Sequence, residues 1–193
     1  MRIVGGEAGG RRILAPEGRN TRPTAERVRE AVFSMLGGRL DGEVVLDVFA
    51  GSGAMALEAL SRGAERAVLC ESSRQAAAVI RRNIDSLGYG ERAQLIARDW
   101  RVALAGPGGG FSVVFIDPPY KRVDEYRQVL EHLAACGRLA PGAYLVLEHE
   151  AHTRLDGLPS VYEQLKPHRY GDTAITLLRY DGAKDDVAGG EAE

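Results

Sequence analysis

The feature that most constrains this chain is the alternation, from Val44 onward, of short apolar runs with longer amphipathic stretches. This alternation is typical of βαβ units, in which helices cover both faces of a parallel sheet. The apolar runs predict strands at residues 44–49, 67–70, 93–97, 112–116 and 143–148. The amphipathic stretches predict helices at residues 54–61, 74–86, 100–104 and 124–136. Right-handed crossovers then place every loop that follows a strand at one edge of the sheet, where ligands bind in such folds.

Two later segments depart from this alternation. Residues 161–166 and 174–180 are extended runs joined by the turn-like sequence HRYGD, which predicts an antiparallel strand pair that closes the sheet. The expected fold class is α/β: a Rossmann-like, mostly parallel, doubly wound sheet with an antiparallel C-terminal pair and a small N-terminal β extension. Hydrophobic residues make up 45% of the 193 residues, which suits one catalytic domain with its own core.

The first 40 residues carry eight arginines against four glutamates, although the net charge of the whole chain is −2. We predict a basic β-hairpin extension over residues 1–22, the main domain over residues 23–180 and a disordered acidic tail over residues 181–193. A helix capped by Thr24 is expected to follow the extension. A basic excess on one element favours contact with nucleic-acid phosphates, although each arginine could also be merely solubilising. The predicted RNA-binding residues are Arg11, Arg12 and Arg22.

The remaining sequence favours a cytoplasmic protein without a metal. No apolar run approaches about 18 residues and no signal peptide is recognisable, so we expect neither membrane insertion nor secretion. Cys70 and Cys136 lie in apolar patterns and are expected to be buried, reduced thiols. His149 and His152 lack partner ligands at a recognisable spacing, so no metal site is predicted and the pair is expected at a solvated strand end.

The stretch VVLDVFAGSGAMALEAL reads as a strand, a glycine-bearing turn and the start of a helix. Gly51 and Gly53 let the backbone pass close to a ligand because no Cβ stands in the way. A dinucleotide would place its pyrophosphate at the helix N-terminus, where the carboxylate of Asp47 is unfavourable. S-adenosylmethionine instead carries an ammonium and a sulfonium, which Asp47 stabilises. The turn therefore favours S-adenosylmethionine over NAD.

Two further acids end the next two predicted strands. Glu71 is placed to accept hydrogen bonds from ribose hydroxyls, a role that suits NAD equally well. Asp99 could accept from an adenine amine, with Arg98 or Trp100 flanking the ring, or could simply cap a helix. The predicted cofactor site combines these acids with the residues of the turn and comprises Asp47, Phe49, Ala50, Gly51, Ser52, Gly53, Glu71, Ser72, Asp99 and Trp100.

The sequence FIDPPY places an acid, two prolines and a tyrosine at the end of a hydrophobic strand. Pro118 and Pro119 fix the backbone direction and donate no hydrogen bond, which leaves the Asp117 carboxylate and the Pro118 carbonyl as rigid acceptors. Two such acceptors stabilise the positive charge that develops when an exocyclic amine attacks a methyl group. Tyr120 is placed to stack on the base. The predicted catalytic residues are Asp117, Pro118, Pro119 and Tyr120, although the motif could also be a Pro-Pro turn with a core tyrosine.

The segments DVFAGSGAMALEALSRGA, DPPY and MRIVGGEAGGRRI, followed by TRPTAERVREAVF, together closely resemble the bacterial 16S rRNA guanine-N2 methyltransferases. The resemblance implies a Rossmann-like methyltransferase that converts S-adenosylmethionine to S-adenosylhomocysteine. It further implies a guanine of 16S rRNA, in free RNA, the small ribosomal subunit or an assembly intermediate, as substrate. We expect a monomer. The main departure is Phe49, which stands where many methyltransferases have glycine and predicts a tighter cofactor turn.

Three other functions are compatible with parts of the pattern. A DNA adenine-N6 or other amine methyltransferase would use the same acceptor geometry, but 193 residues leave little room for a DNA target-recognition domain. An NAD-dependent dehydrogenase would leave the DPPY motif without a role. A noncatalytic RNA-binding module would retain the cofactor pocket without turnover.

Overall fold

The computed structural model describes residues 1–16, 23–106, 108–119 and 122–182. Predictions made for Arg22, for Tyr120 and for residues 183–193 therefore lie outside the described residues. The helices in the described ranges are α1 Pro23–Met35, α2 Ala54–Ser61, α3 Arg74–Leu87, α4 Trp100–Ala103 and α5 Asp124–Ala135. The strands in the same ranges are β1 Val44–Asp47, β2 Arg66–Cys70, β3 Ala93–Ile96, β4 Phe111–Ile116, β5 Leu139–Glu150, β6 Tyr162–Gln164, β7 His168–Tyr170 and β8 Thr173–Tyr180.

These eight strands form one sheet in the order β3-β2-β1-β4-β5-β8-β6, and β7 also pairs with β8. The first five strands of this order, β3, β2, β1, β4 and β5, run parallel to one another. Strand β8 is antiparallel to β5, β6 and β7. This arrangement confirms the predicted fold class. The strand order reverses between β1 and β4, so the loops after these two strands meet at the point where open α/β sheets bind ligands.

Side chains alternate between two cores on opposite faces of the sheet. Val45, Phe115 and Val146 belong to the core that contains residues of α1, α2 and α3, while Leu46, Val114 and Leu145 belong to the core that contains residues of α5 and Trp100. Successive residues of a strand point to opposite faces. The face that a side chain at the end of β1, β4 or β5 occupies is therefore that of the residue two positions before it.

The extension shares the first of these cores. Ile3, Ala8 and Ile13 are all buried within it. Arg2 and Arg12 form an antiparallel bridge, and the N–H of Ile3 donates to the carbonyl of Arg11 at 3.0 Å. Among the described residues, no helix is both long and apolar enough to span a membrane.

Several local predictions are wrong. Helix α1 begins at Pro23, so Thr24 lies inside the helix and is not its N-cap; proline suits a first turn because its missing N–H needs no partner there. Cys136 is exposed at the end of α5, while Cys70 is buried as expected. His149 is buried rather than solvated, because its ring packs edge-on against Tyr126 of α5 and its Nε2 lies 2.9 Å from the Thr176 hydroxyl of β8.

Strand boundaries also differ from the expectation. The segment HRYGD was predicted as a turn, but its first three residues form strand β7, because His168–Tyr170 pair with β8 and only the residues after Tyr170 turn. The first strand ends at Asp47 instead of residue 49, because the chain turns after the last bond to β4, from the N–H of Val48 to the carbonyl of Phe115, and the next backbone bond runs from Ala50 to Cys70 of β2. Strand β5 extends from Leu139 to Glu150, beyond the predicted range at both ends, because Leu139 pairs with Phe111 of β4 and β8 pairs with residues 144–150.

Candidate active site

The turn after β1, residues 50–53, is the first component of the site. The N–H of Ala50 donates to the carbonyl of Cys70 at 3.0 Å, and the N–H of Gly53 donates to the carbonyl of Ala50 at 2.7 Å. Gly53 has φ 79°, and a Cβ there would lie only 3.1 Å from Cδ2 of Leu69. The left-handed backbone conformation therefore favours glycine, and a side chain at this position would also crowd Leu69.

Glu71, at the carboxyl end of β2, is held by this turn. Its Oε2 accepts a hydrogen bond from the N–H of Gly51 at 2.8 Å, and its Oε1 accepts one from the N–H of Ser73 at 2.7 Å. Each carboxylate oxygen has a second lone pair, so the fixed side chain can still accept hydrogen bonds from ligand hydroxyls. The geometry suits the predicted contact with a ribose.

The loops after β1, β2 and β3 line one cleft. It is bordered by predicted cofactor residues from all three loops and by one residue of the DPPY motif: Phe49, Glu71, Ser72, Asp99, Trp100 and Pro119. The cleft therefore brings together side chains that are about 50 to 70 residues apart in sequence, as expected for the carboxyl edge of a parallel sheet.

Asp99 and Trp100 have structural partners as well. Asp99 caps α4, where its Oδ1 accepts from the N–H of Arg101 at 2.9 Å. The helix-capping role that the sequence left open for Asp99 is therefore present in the fold. Trp100 is buried, and its indole N–H donates to the Glu125 carboxylate at 2.7 Å. The ring is thus fixed by hydrogen bonding on the α5 side while lining the cleft on the other.

Glu125 was not found by sequence reasoning. This buried carboxylate of α5 accepts from Trp100 and from Arg101, and its other oxygen pairs with Arg122 at 3.2 Å. It therefore connects Trp100 in the wall of the cofactor cleft to Arg122, which also lines the cleft. Its position in an amphipathic helix resembles that of any first-turn acid, so the sequence carries no signal for this role.

The DPPY segment begins where β4 ends. Asp117 is exposed, Pro118 is buried and Pro119 is exposed, and the Pro119 carbonyl accepts from the N–H of Arg122 at 2.8 Å. The buried proline anchors the chain while the aspartate before it remains accessible to a ligand. The Tyr120 side chain predicted to stack on the base lies outside the described residues.

Asp117 lies among like charges. Asp47 ends β1, and Glu148 lies two residues before the end of β5, where the pairing of Ile116 with Leu147 places it level with Asp117. Burial, followed by the charge of Asp117, raises the pKa of Asp47 to about 7. Burial, again followed by the charge of Asp117, raises the pKa of Glu148 to about 8, while the charge of Arg29 acts in the opposite direction.

These three acids form what we call the acidic face: Asp47, Asp117 and Glu148. By strand alternation Asp47 and Glu148 share the face of Val45 and Val146, beneath α1. Like charges in a partly buried site disfavour ionisation, and a bound cation would relieve the repulsion. Glu148 was missed as a site residue, although its position at the end of an apolar run is the same signal that singled out Asp47, Glu71 and Asp99.

The predicted RNA-binding arginines have different surroundings. The guanidinium of Arg11 donates to the carbonyls of Ser86 and Leu87 at the C-terminal end of α3, so part of its hydrogen-bonding capacity is used within the fold. Arg12 is exposed beside the bridge to Arg2.

The strand order, the glycine-bearing turn and the acids at consecutive strand ends define the Rossmann-like fold of methyltransferases that use S-adenosylmethionine. The donor set fits this cofactor, because Glu71 and Asp99 can accept from hydroxyls and an amine while the acidic face suits a sulfonium. Residues 1–179 match the family described as Conserved hypothetical protein 95, and the chain belongs to this family.

Named relatives agree with this membership. Ribosomal RNA small subunit methyltransferase D of Escherichia coli (strain K12) is 37% identical over 171 residues, covering 88% of this chain and 83% of that protein. The Haemophilus influenzae protein of the same name is 32% identical over 153 residues, covering 78% of this chain and 79% of that protein.

Solved structures agree as well. The structure of yhhF from Escherichia coli has a TM-score of 0.82 and 32% sequence identity, covering 94% of this chain and 98% of that chain. The structure of SMU.776 complexed with S-adenosylhomocysteine has a TM-score of 0.66, covering 81% of this chain and 49% of that chain. At 13% identity, this second similarity concerns the fold alone.

Proposed function

We propose that this chain transfers a methyl group from S-adenosylmethionine to the exocyclic N2 amine of one guanine in 16S ribosomal RNA. The observation that carries the proposal is the accessible Asp117 at the end of β4, next to the glycine turn of β1 and level with Glu148. S-adenosylmethionine supplies an electrophilic methyl group, and its sulfonium becomes the neutral thioether of S-adenosylhomocysteine when that methyl leaves.

Asp117 and the Pro118 carbonyl receive the amine. A guanine amine is a poor nucleophile because its lone pair is delocalised into the ring, so positive charge accumulates on nitrogen as the new bond forms. Two acceptors on its N–H groups stabilise that charge, and they do so without reorganising because the prolines fix the backbone. Asp117 then takes the proton that the amine releases and passes it to solvent.

Access to the amine requires an exposed base. The N2 amine of a paired guanine is engaged and stacked, so the target nucleotide must be unstacked or flipped toward the cleft. We assign the stacking contact to Tyr120 and phosphate contacts to Arg11, Arg12 and Arg22. For Arg11 this contact would use only the N–H groups that α3 leaves available.

Two observations favour ribosomal RNA as the substrate. The Escherichia coli and Haemophilus influenzae relatives are both named ribosomal RNA small subunit methyltransferase D, and the chain aligns with most of each. The arginine excess of the first 40 residues also suits a polyanion, since the rest of the chain is acidic.

The test is transfer of a tritium-labelled methyl group from S-adenosylmethionine to free 16S RNA and to 30S particles that lack the modification. We expect label in one of these substrates, and mapping of the modified base should identify N2 of a single guanine. Label on an adenine amine, or in DNA in preference to RNA, would favour the alternative amine methyltransferase. Cofactor binding without transfer to any nucleic acid would overturn the proposal.

A further inference from the structure

Buried polar side chains of the main domain hold the N-terminal extension in place. Glu58 of α2, fully buried, accepts hydrogen bonds from the N–H groups of Val4 and Gly5 at 2.7 Å each. The hydroxyl of Ser61, also in α2, accepts from the N–H of Ala8 at 2.9 Å and donates to the carbonyl of Gly5 at 2.6 Å. These contacts fix the extension but do not involve the cofactor turn.

Asn83 of α3 differs from these side chains because it binds the extension and the cofactor turn together. It is 1% exposed, and its Oδ1 accepts from the N–H of Leu14 at 2.8 Å. Its Nδ2 donates to the carbonyl of Leu14 at 3.0 Å and to the carbonyl of Ser52 at 2.9 Å. One amide therefore joins residue 14 of the extension to the middle of the glycine turn.

The partners leave only one orientation for this amide. A backbone N–H must face the oxygen, and two backbone carbonyls must face the nitrogen, so a flipped side chain would oppose like groups at all three contacts. With both Nδ2 hydrogens donated, a displacement of the turn would leave a buried donor without an acceptor. That loss is costly because the group has no water to bond instead.

The cofactor turn is consequently held from two sides. The N–H of Gly51 is bound by Glu71, a predicted cofactor ligand, while the carbonyl of Ser52 is bound by Asn83. The Ser52 hydroxyl also lies 3.3 Å from the sulfur of Met1, so a second residue of the extension reaches the same turn. The position of these peptide groups sets how closely the backbone can approach a ligand.

We propose that Asn83 is a positioning residue for S-adenosylmethionine, which holds the cofactor turn in its binding geometry by tying it to Leu14 of the extension. The assignment depends on the cofactor and not on the identity of the methylated base. It gives the extension a role in cofactor binding, in addition to any contact that its arginines make with RNA.

The test compares Asn83→Ala and Asn83→Asp with Ser61→Ala. Aspartate keeps the acceptor for the Leu14 N–H but cannot donate to either carbonyl. The control removes contacts of the same extension that lie away from the turn. Dissociation constants for S-adenosylhomocysteine are measured by calorimetry below the thermal transition of every variant. We expect about tenfold weaker binding for both Asn83 variants and a change within about twofold for Ser61→Ala, although all three should unfold at lower temperature.

A second readout separates positioning from general loosening of the fold. The Asn83 variants should raise KM for S-adenosylmethionine while kcat at saturating cofactor stays near the wild-type value. Wild-type affinity in the Asn83 variants, or equal weakening by Ser61→Ala, would overturn the proposal. If alanine and aspartate yield no folded protein, Asn83→Ser keeps one donor and applies the same criterion. The calorimetric result holds even if guanine is not the methylated base.

Discussion

The two halves of the active site differ in how their acids are accommodated. In the cofactor half, Glu71 accepts two backbone N–H groups and Asp99 accepts one, so each carboxylate has hydrogen-bond donors as neighbours. In the acceptor half, Asp47 and Glu148 both face the charge of Asp117, and their pKa values are raised. In the cofactor half, backbone N–H groups hold the carboxylates in position to accept from a neutral polar ligand. In the acceptor half, the carboxylates lie close together and concentrate negative charge.

This difference matches the two kinds of group that the site would bind. A ribose and an adenine present neutral hydroxyl and amine groups, for which preformed acceptors suffice. A sulfonium and a developing ammonium are cations, and clustered carboxylates in a partly buried site stabilise them strongly. Substitutions in the two halves should therefore separate binding from chemistry.

The largest expected effect is that of Asp117→Ala. Removing the acceptor should reduce kcat by about a thousandfold or more, because one preorganised acceptor contributes roughly 10²–10³-fold and the amine also loses its proton acceptor. The affinity for S-adenosylhomocysteine, measured by calorimetry, should stay near the wild-type value. Asp117→Asn is the isosteric control and should retain some activity through its amide oxygen. Equal loss of turnover and of cofactor affinity would mean that Asp117 belongs to the cofactor half.

Glu71→Ala should give the opposite result. The N–H groups of Gly51 and Ser73 lose their acceptor and the ligand hydroxyls lose theirs, so cofactor affinity should fall by about 10- to 100-fold. At saturating cofactor kcat should change much less, which steady-state kinetics can measure.

The matched control for this variant is Glu65→Ala. Glu65 is an exposed acid just before the amino end of the same strand, so its removal changes the net charge equally without touching the edge that binds ligand. A similar loss of affinity in both variants would indicate a long-range charge effect instead of a direct contact.

The smallest expected effect is a pH dependence of cofactor discrimination. S-adenosylmethionine carries one more positive charge than S-adenosylhomocysteine, so ionisation of Asp47 and Glu148 should favour it. Their pKa values of about 7 and about 8 predict that its relative affinity rises by about fivefold between roughly pH 6 and pH 8.5. Calorimetric titrations of both ligands across this range measure the ratio.

The free energy of unfolding should change with pH in the opposite direction to the relative affinity for S-adenosylmethionine. An acid with a raised pKa binds a proton in the folded state that the unfolded chain has already released, so both groups lower stability as pH rises from about 4 to about 8. Glu148→Gln should therefore raise the melting temperature near pH 8.5 and leave it almost unchanged near pH 4. The same substitution should also reduce the pH dependence of the affinity ratio between S-adenosylmethionine and S-adenosylhomocysteine.

If that affinity ratio does not change with pH in the wild-type protein, the charges assigned to Asp47 and Glu148 are contradicted.

The sequence by itself determined the order of the elements and the edge of the sheet that carries the site. Apolar periodicity identified strands β1 to β5 and helices α2 to α5, since burial on both faces leaves a local pattern in the chain. Because parallel crossovers bring all strand ends to one edge, the sequence alone predicts that Glu71, Asp99 and Pro119 lie near each other, and they line one cleft.

Only the tertiary structure decided which side chains support these residues. In the sequence, Asn83 resembles any amide in a helix and Glu125 resembles any acid in a first turn. In the fold, Asn83 lies between Leu14 and Ser52, and Glu125 accepts from the indole of Trp100. The prediction of a solvated His149 is wrong for the same reason, since its partners Tyr126 and Thr176 are distant in the sequence. Such contacts depend on which surfaces meet after folding, and a local pattern of polarity carries no information about a distant partner.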